Sequence, residues 1–94
     1  MKYGALTDRD AVLKAIREFD KLGRRDFLAK YGFKQAKNYF LESNGKLYDS
    51  KAIVGVAFGY QFPEEGPLKP EHFSGGKGTV APKLGSLGFK VIYR

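Results

Sequence analysis

The stretch Tyr39-Phe40-Leu41-Glu42-Ser43-Asn44-Gly45-Lys46-Leu47-Tyr48 decides the fold. Two short runs rich in aromatic and apolar residues flank Asn44-Gly45, a dipeptide that accepts two consecutive positive φ angles. That pattern predicts a β-hairpin closed by a type I′ turn. Asp49 or Ser50 follows at once and is expected to cap a helix carrying Ala52, Ile53, Val56, Ala57 and Tyr60. Gly55 and Gly59, one turn apart, cost helix propensity but let neighbouring backbone come close.

Upstream of the hairpin, Thr7-Asp8-Arg9-Asp10 reads as a helix start, with Thr7 as N-cap and acids in the first turn. Val12, Leu13, Ile16, Phe19 and Leu22 recur at helical spacing until Gly23. A second, shorter helix is expected over Arg25–Tyr31, ending at Gly32. Downstream, residues 61–70 form a loop containing Pro and Gly. A fourth helix is expected over residues 79–87, with Pro82 in its first turn and Gly88 stopping it. Phe89-Lys90-Val91-Ile92-Tyr93 reads as a closing strand able to pair with the hairpin. The order ααββααβ defines an α+β class: four short helices packed on a three-stranded antiparallel sheet, with residues 1–94 as a single domain.

Composition narrows the chemistry. The chain has 94 residues, and 43% of them are hydrophobic, enough for a folded core. With no Cys and one His, disulfides and thiol catalysis are excluded, and neither a metal site nor a cofactor is expected. No apolar run approaches membrane-spanning length and no signal-peptide core opens the chain, so a cytoplasmic module without a membrane partner is expected. Seventeen Lys and Arg face ten Asp and Glu, a formal charge of +7. The excess is uneven. Residues 1–20 balance four bases against four acids, whereas residues 21–37 hold six bases against Asp26 alone, and residues 72–94 hold four bases and no acid. Two basic blocks suit a polyanion partner, although a basic balance also serves solubility alone.

Ser74-Gly75-Gly76-Lys77-Gly78-Thr79 has the composition of a phosphate-holding turn, since glycines let backbone N–H groups converge on an anion. It is not a P-loop: Gly78 separates Lys77 from Thr79, and no apolar strand leads in. His72, flanked by Glu71 and Phe73, fits a loop-filling role better than a catalytic one. Glu64-Glu65 reads as a solvated turn, so catalysis within this chain is not expected.

Anion binding is the better fit. Lys51 stands in the first turn of the third helix, where a cation opposes the helix dipole unless an anion bridges the two. Ser50 can cap that helix or donate to a phosphate oxygen. Lys77 and Thr79, with Lys83 a turn later, repeat the grouping at the fourth helix. Arg24 and Arg25 at the first helix junction, with Lys34 and Lys37 beyond the second helix, offer a further patch for a nucleic-acid backbone. Helix-terminal bases also occur without any ligand. Tyr39, Phe40, Tyr48, Tyr60 and Phe62 read chiefly as core, with Tyr48 and Tyr60 the candidates for stacking on a base.

Three further motifs carry a family resemblance. They are Tyr48-Asp49-Ser50-Lys51-Ala52-Ile53-Val54-Gly55-Val56-Ala57, then Phe73-Ser74-Gly75-Gly76, then Leu84-Gly85-Ser86-Leu87-Gly88-Phe89. With the opening Ala5–Val12 and Tyr31-Gly32-Phe33, the series resembles the N-terminal head module of ScoMcrA-like proteins, McrA-type HNH restriction endonucleases acting on modified DNA. The resemblance implies a non-catalytic DNA-binding or modified-base-sensing module, part of a larger endonuclease or standing alone, because H-N-H residues cannot be assembled from one histidine. It implies duplex DNA, plain or modified, as partner, with Ser50, Lys51 and the Ser74-Gly75-Gly76-Lys77 turn facing it. A protein–protein docking or dimerisation module of such a nuclease is the alternative, and charge alone does not separate DNA from RNA.

Overall fold

The computed structural model describes residues 2–94. Strands β1 (Tyr39–Ser43) and β2 (Lys46–Asp49) form the expected hairpin, with Asn44 at φ 52° and Gly45 at φ 79°. Both angles are positive, as a type I′ turn requires, and Asn and Gly are the residues that tolerate them. Strand β3 (Lys90–Tyr93) pairs antiparallel with the other side of β1, so the sheet order is β2-β1-β3. Leu41 stands opposite both Tyr48 and Val91. This row faces the core, with Leu41 fully buried and Tyr48 nearly so.

Helix α1 (Arg9–Leu22) buries Ala11, Val12, Ala15, Ile16 and Phe19, the stripe its periodicity predicts. Helix α2 (Arg24–Tyr31) follows after one residue, Gly23, whose φ of 85° admits so tight a junction. Helix α3 (Ser50–Gln61) buries every residue from Ala52 to Phe58 and forms the centre of the core, packed on α1. Helix α4 (Val80–Ser86) contributes Val80 and Leu84. Two 3-10 turns, Lys2–Ala5 and Pro70–His72, were too short to announce themselves by periodicity. Four helices and a three-stranded antiparallel sheet make the α+β architecture expected from the pattern.

Two caps differ from expectation. Asp8, not Thr7, is the N-cap of α1, its carboxylate accepting from the Asp10 amide at 2.9 Å. Thr7 is instead held from across the fold, because the Gln61 side-chain oxygen accepts from the Thr7 and Asp8 amides while Gln61 Nε2 donates to Thr7 Oγ1. Neither Asp49 nor Ser50 caps α3 with its side chain. Asp49 is the N-cap residue but makes no capping bond, and Ser50 Oγ donates to the Tyr39 carbonyl at 2.9 Å.

The glycines of α3 mark close approaches. A Cβ on Gly55 would lie 2.6 Å from Phe33 Cζ and 2.8 Å from the Leu68 carbonyl, and one on Gly59 would lie 2.6 Å from Pro67 N. The 61–70 loop therefore folds back onto the helix, with the Leu68 amide donating to the Gly55 carbonyl at 3.0 Å.

Candidate functional site

The N-terminal turn of α3 opens into a groove of about 730 Å³. One wall is the segment Gly32–Tyr39 that connects α2 to β1; Pro70, Glu71 and Gly75 form the other. The leading amides of a helix have no partner within it, so this end of α3 presents donors and partial positive charge. Three lysines line the groove, Lys34, Lys37 and Lys51. Two carboxylates face them, Asp49 and Glu71, but Arg24 matches Asp49 with a two-point ion pair. Three cations therefore stand against Glu71 alone.

Lys51 is the most constrained of them. Gly75 packs on its aliphatic stem so closely that a Cβ there would lie 2.7 Å from Lys51 Cδ. Its ammonium lies 5.3 Å from the centre of the Phe73 ring. Burial depresses its pKa, partly opposed by Glu71, and among the described residues no carboxylate comes within ion-pair distance. A half-buried ammonium without an ion-pair partner is favoured by any anion that enters.

The groove unites Lys34, Ser50, Lys51 and Gly75 from the expected set, bringing together three separate stretches of sequence. Thr79 and Lys83 lie elsewhere, lining a separate shallow depression with Tyr3, Gly4, Gly78, Pro82 and Ser86. Lys83 Nζ donates to the Gly4 carbonyl at 3.0 Å, tying α4 to the first 3-10 turn. The glycine turn is also less open than its composition implied. The amides of Thr79 and Ala81 both donate to the Gly76 carbonyl, so they are spent internally. Ser74 and Lys77 are exposed on this turn, with Gly76 partly covered.

The remaining candidates divide by burial. Arg24 is engaged by Asp49, while Arg25 is exposed and, among the described residues, ion-pairs with its neighbour Asp26 alone. Tyr48 cannot stack on a base, because it is 3% exposed, its ring packs on Phe19 and its hydroxyl donates to Asp20. Burial and that bond push its pKa up to about 12. Tyr60 is 38% exposed, with its hydroxyl donating to Glu18 at 2.6 Å. Sequence reasoning left Asn38 and Tyr39 out of the site; both line the groove because Asn38 is fastened to Arg94 at the end of β3. His72 Nδ1 accepts from the Lys69 amide, the loop-filling role expected of it.

A small α+β domain with a cationic groove at the head of its central helix is the class that fold and site define. The chain belongs to the family of ScoMcrA-like N-terminal head domains, whose model matches residues 5–93. That family is the head of ScoMcrA-like restriction enzymes, which ties the chain to a DNA-related role. Neither the curated proteins nor the solved structures compared with the chain gave a match. Among the described residues no helix is long and apolar enough to cross a membrane.

Proposed function

We propose that this chain is a non-catalytic, duplex-DNA-binding head domain of a cytoplasmic modification-dependent restriction endonuclease, whose nuclease domains cut what the head helps to hold. The phosphate backbone enters the groove at the start of α3. Lys51 meets a phosphate there, Lys34 and Lys37 flank it, and Ser74, Lys77, Thr79, Lys83 and Arg25 extend the contact along the surface. The observation that carries this reading is Lys51 itself: half-buried, in the first turn of α3, and among the described residues without a carboxylate at ion-pair distance. The depression bearing Thr79 and Lys83 shares no lining residue with the groove, so a duplex would have to span both.

Titration of one duplex, plain and base-modified, at two salt concentrations tests the proposal. With four to six phosphates neutralised, log K should fall against log salt with a slope of about −4 to −5. Lys51→Ala should weaken binding to all sequences and reduce the slope by about one. A salt-independent affinity sinks the DNA reading, and equal affinity for the plain and modified duplexes removes base sensing.

A second reading, docking or dimerisation within the nuclease, draws on β3, which lies at an edge of the sheet and ends in Tyr93, 69% exposed. A tight dimer in scattering without DNA, unchanged in a Lys51→Ala variant, would favour it.

A further inference from the structure

Along the sequence α1 is nearly neutral, with Arg9, Lys14, Arg17 and Lys21 set against Asp10, Glu18 and Asp20. The tertiary structure sorts these charges. The Glu18 carboxylate accepts from Lys30 Nζ at 2.6 Å, from the Tyr60 hydroxyl at 2.6 Å and from the Tyr31 hydroxyl at 2.7 Å. Asp20 accepts from the Tyr48 hydroxyl at 2.8 Å and has Lys46 Nζ at 3.8 Å. Two acids of the helix are thus occupied by tertiary partners. Lys14, Arg17 and Lys21 are all exposed and, among the described residues, have no carboxylate within ion-pair distance.

Spacings of three and four residues place Lys14, Arg17 and Lys21 on one helical face. They stretch over about 10 Å of axis, roughly three 3.4 Å steps of a nucleic-acid strand. Together with Lys30 they rim a dish of about 430 Å³, in which Glu18 is the one acid and Leu22 the one aliphatic side chain. So open a dish, ringed by cations, lacks the desolvated pocket in which a protein partner would anchor an aromatic or aliphatic side chain. A regularly charged backbone needs no such pocket.

The geometry points to Lys14, Arg17 and Lys21 on this rim as a second phosphate-backbone contact for duplex DNA, distinct from the groove. The two surfaces share no lining residue. Lys51 marks one end of α3 and Tyr60 the other, nine residues or about 13 Å apart along the helix. The inference rests on the reading of this chain as a DNA-binding head, but it is lost or kept independently of the groove.

The test compares three proteins by fluorescence anisotropy on a labelled plain 20-base-pair duplex between 50 and 200 mM salt. These are the unaltered chain, a rim variant (Lys14→Ala, Arg17→Ala, Lys21→Ala) and a groove variant (Lys34→Ala, Lys37→Ala, Lys51→Ala), with circular dichroism to verify folding. Loss of three phosphate contacts should reduce the salt slope of the rim variant by about 2.7 at unchanged helicity. A rim variant with the unaltered slope overturns the inference, whatever the groove variant does. A groove variant that behaves like the unaltered chain beside a weakened rim variant removes the groove reading and keeps this one. No salt-dependent binding by the unaltered chain removes both. Should the triple rim variant lose helicity, Arg17→Gln alone must lower the slope by about 0.9. Polyglutamate of equal charge bound by the groove variant more tightly than the duplex would overturn the assignment to DNA in favour of an acidic protein partner.

Discussion

Arg24 holds Asp49 through two parallel hydrogen bonds, Nε to Oδ1 at 2.9 Å and Nη2 to Oδ2 at 2.8 Å. Asp49 is 2% exposed, and its Oδ2 also accepts from the Ala36 amide at 2.8 Å. One carboxylate therefore joins the start of α2, the end of β2 and the segment that walls the groove. The bond to Asp49 raises the Arg24 pKa against the opposing effect of burial. Asp49 stands opposite Phe40 in the hairpin register, which turns its side chain toward residue 36 and away from the amides of α3.

Removing the arginine should strand a buried charge. Arg24→Ala is expected to destabilise the domain by about 2–3 kcal/mol, below the usual cost for a buried pair because the arginine side chain is 41% exposed. Arg24→Lys should recover part of this but not all, since an ammonium cannot make the parallel pair. Urea denaturation checks both, and an Arg24→Ala protein as stable as the original would refute the clamp.

Gly59→Ala should be damaging although the residue sits within α3. Its Cβ would meet the backbone of Pro67 and Gly66 at 2.6 to 3.0 Å, where no side chain can rotate away. The expected loss is about 1–3 kcal/mol, even though alanine is the better helix former. A gain in melting temperature would show that the 61–70 loop is not seated on the helix.

Glu18 should make stability depend on acid. Burial alone would raise its carboxyl, but the bonds from Lys30, Tyr60 and Tyr31 outweigh this and hold it below the ordinary 4.5. A depressed folded value means the contribution is full above the ordinary carboxylate range and disappears as pH falls through the folded one. Glu18→Gln should therefore cost about 1–2 kcal/mol at neutral pH. The gap should shrink steadily below pH 4.5. Denaturation midpoints of both proteins between pH 7 and pH 3 measure it; a gap independent of pH would exclude the carboxylate as its source.

Gly75→Ala tests how the groove is built. A methyl there would lie 2.8 Å from Lys51 Cβ, so either the exposed turn or the lysine must move. The turn is on the surface, and the melting temperature should shift by less than about 4 °C. Duplex binding should nonetheless lose up to one phosphate contact, read as a salt slope reduced by about 0.9. An unchanged slope would mean that the contact between Gly75 and Lys51 has no part in binding.

Much of this protein is written locally. Asn44-Gly45, Gly23 and the periodicity of α1 each act through backbone sterics or a single helical face, over distances of a few residues, and sequence alone determined them. The glycines of α3 signalled a close approach without naming what approaches. What only the tertiary structure decided is where charge ends up. Asp49 resembled a helix cap until Arg24 and Ala36 claimed it, and Tyr48 offered a ring that the core had already taken. Residues 1–20 count as neutral, yet folding brings Lys30, Tyr31, Tyr48 and Tyr60 onto their acids and leaves Lys14 and Arg17 facing water. The physical reason is that an electrostatic surface is set by distances across the fold, which a count along the chain does not contain.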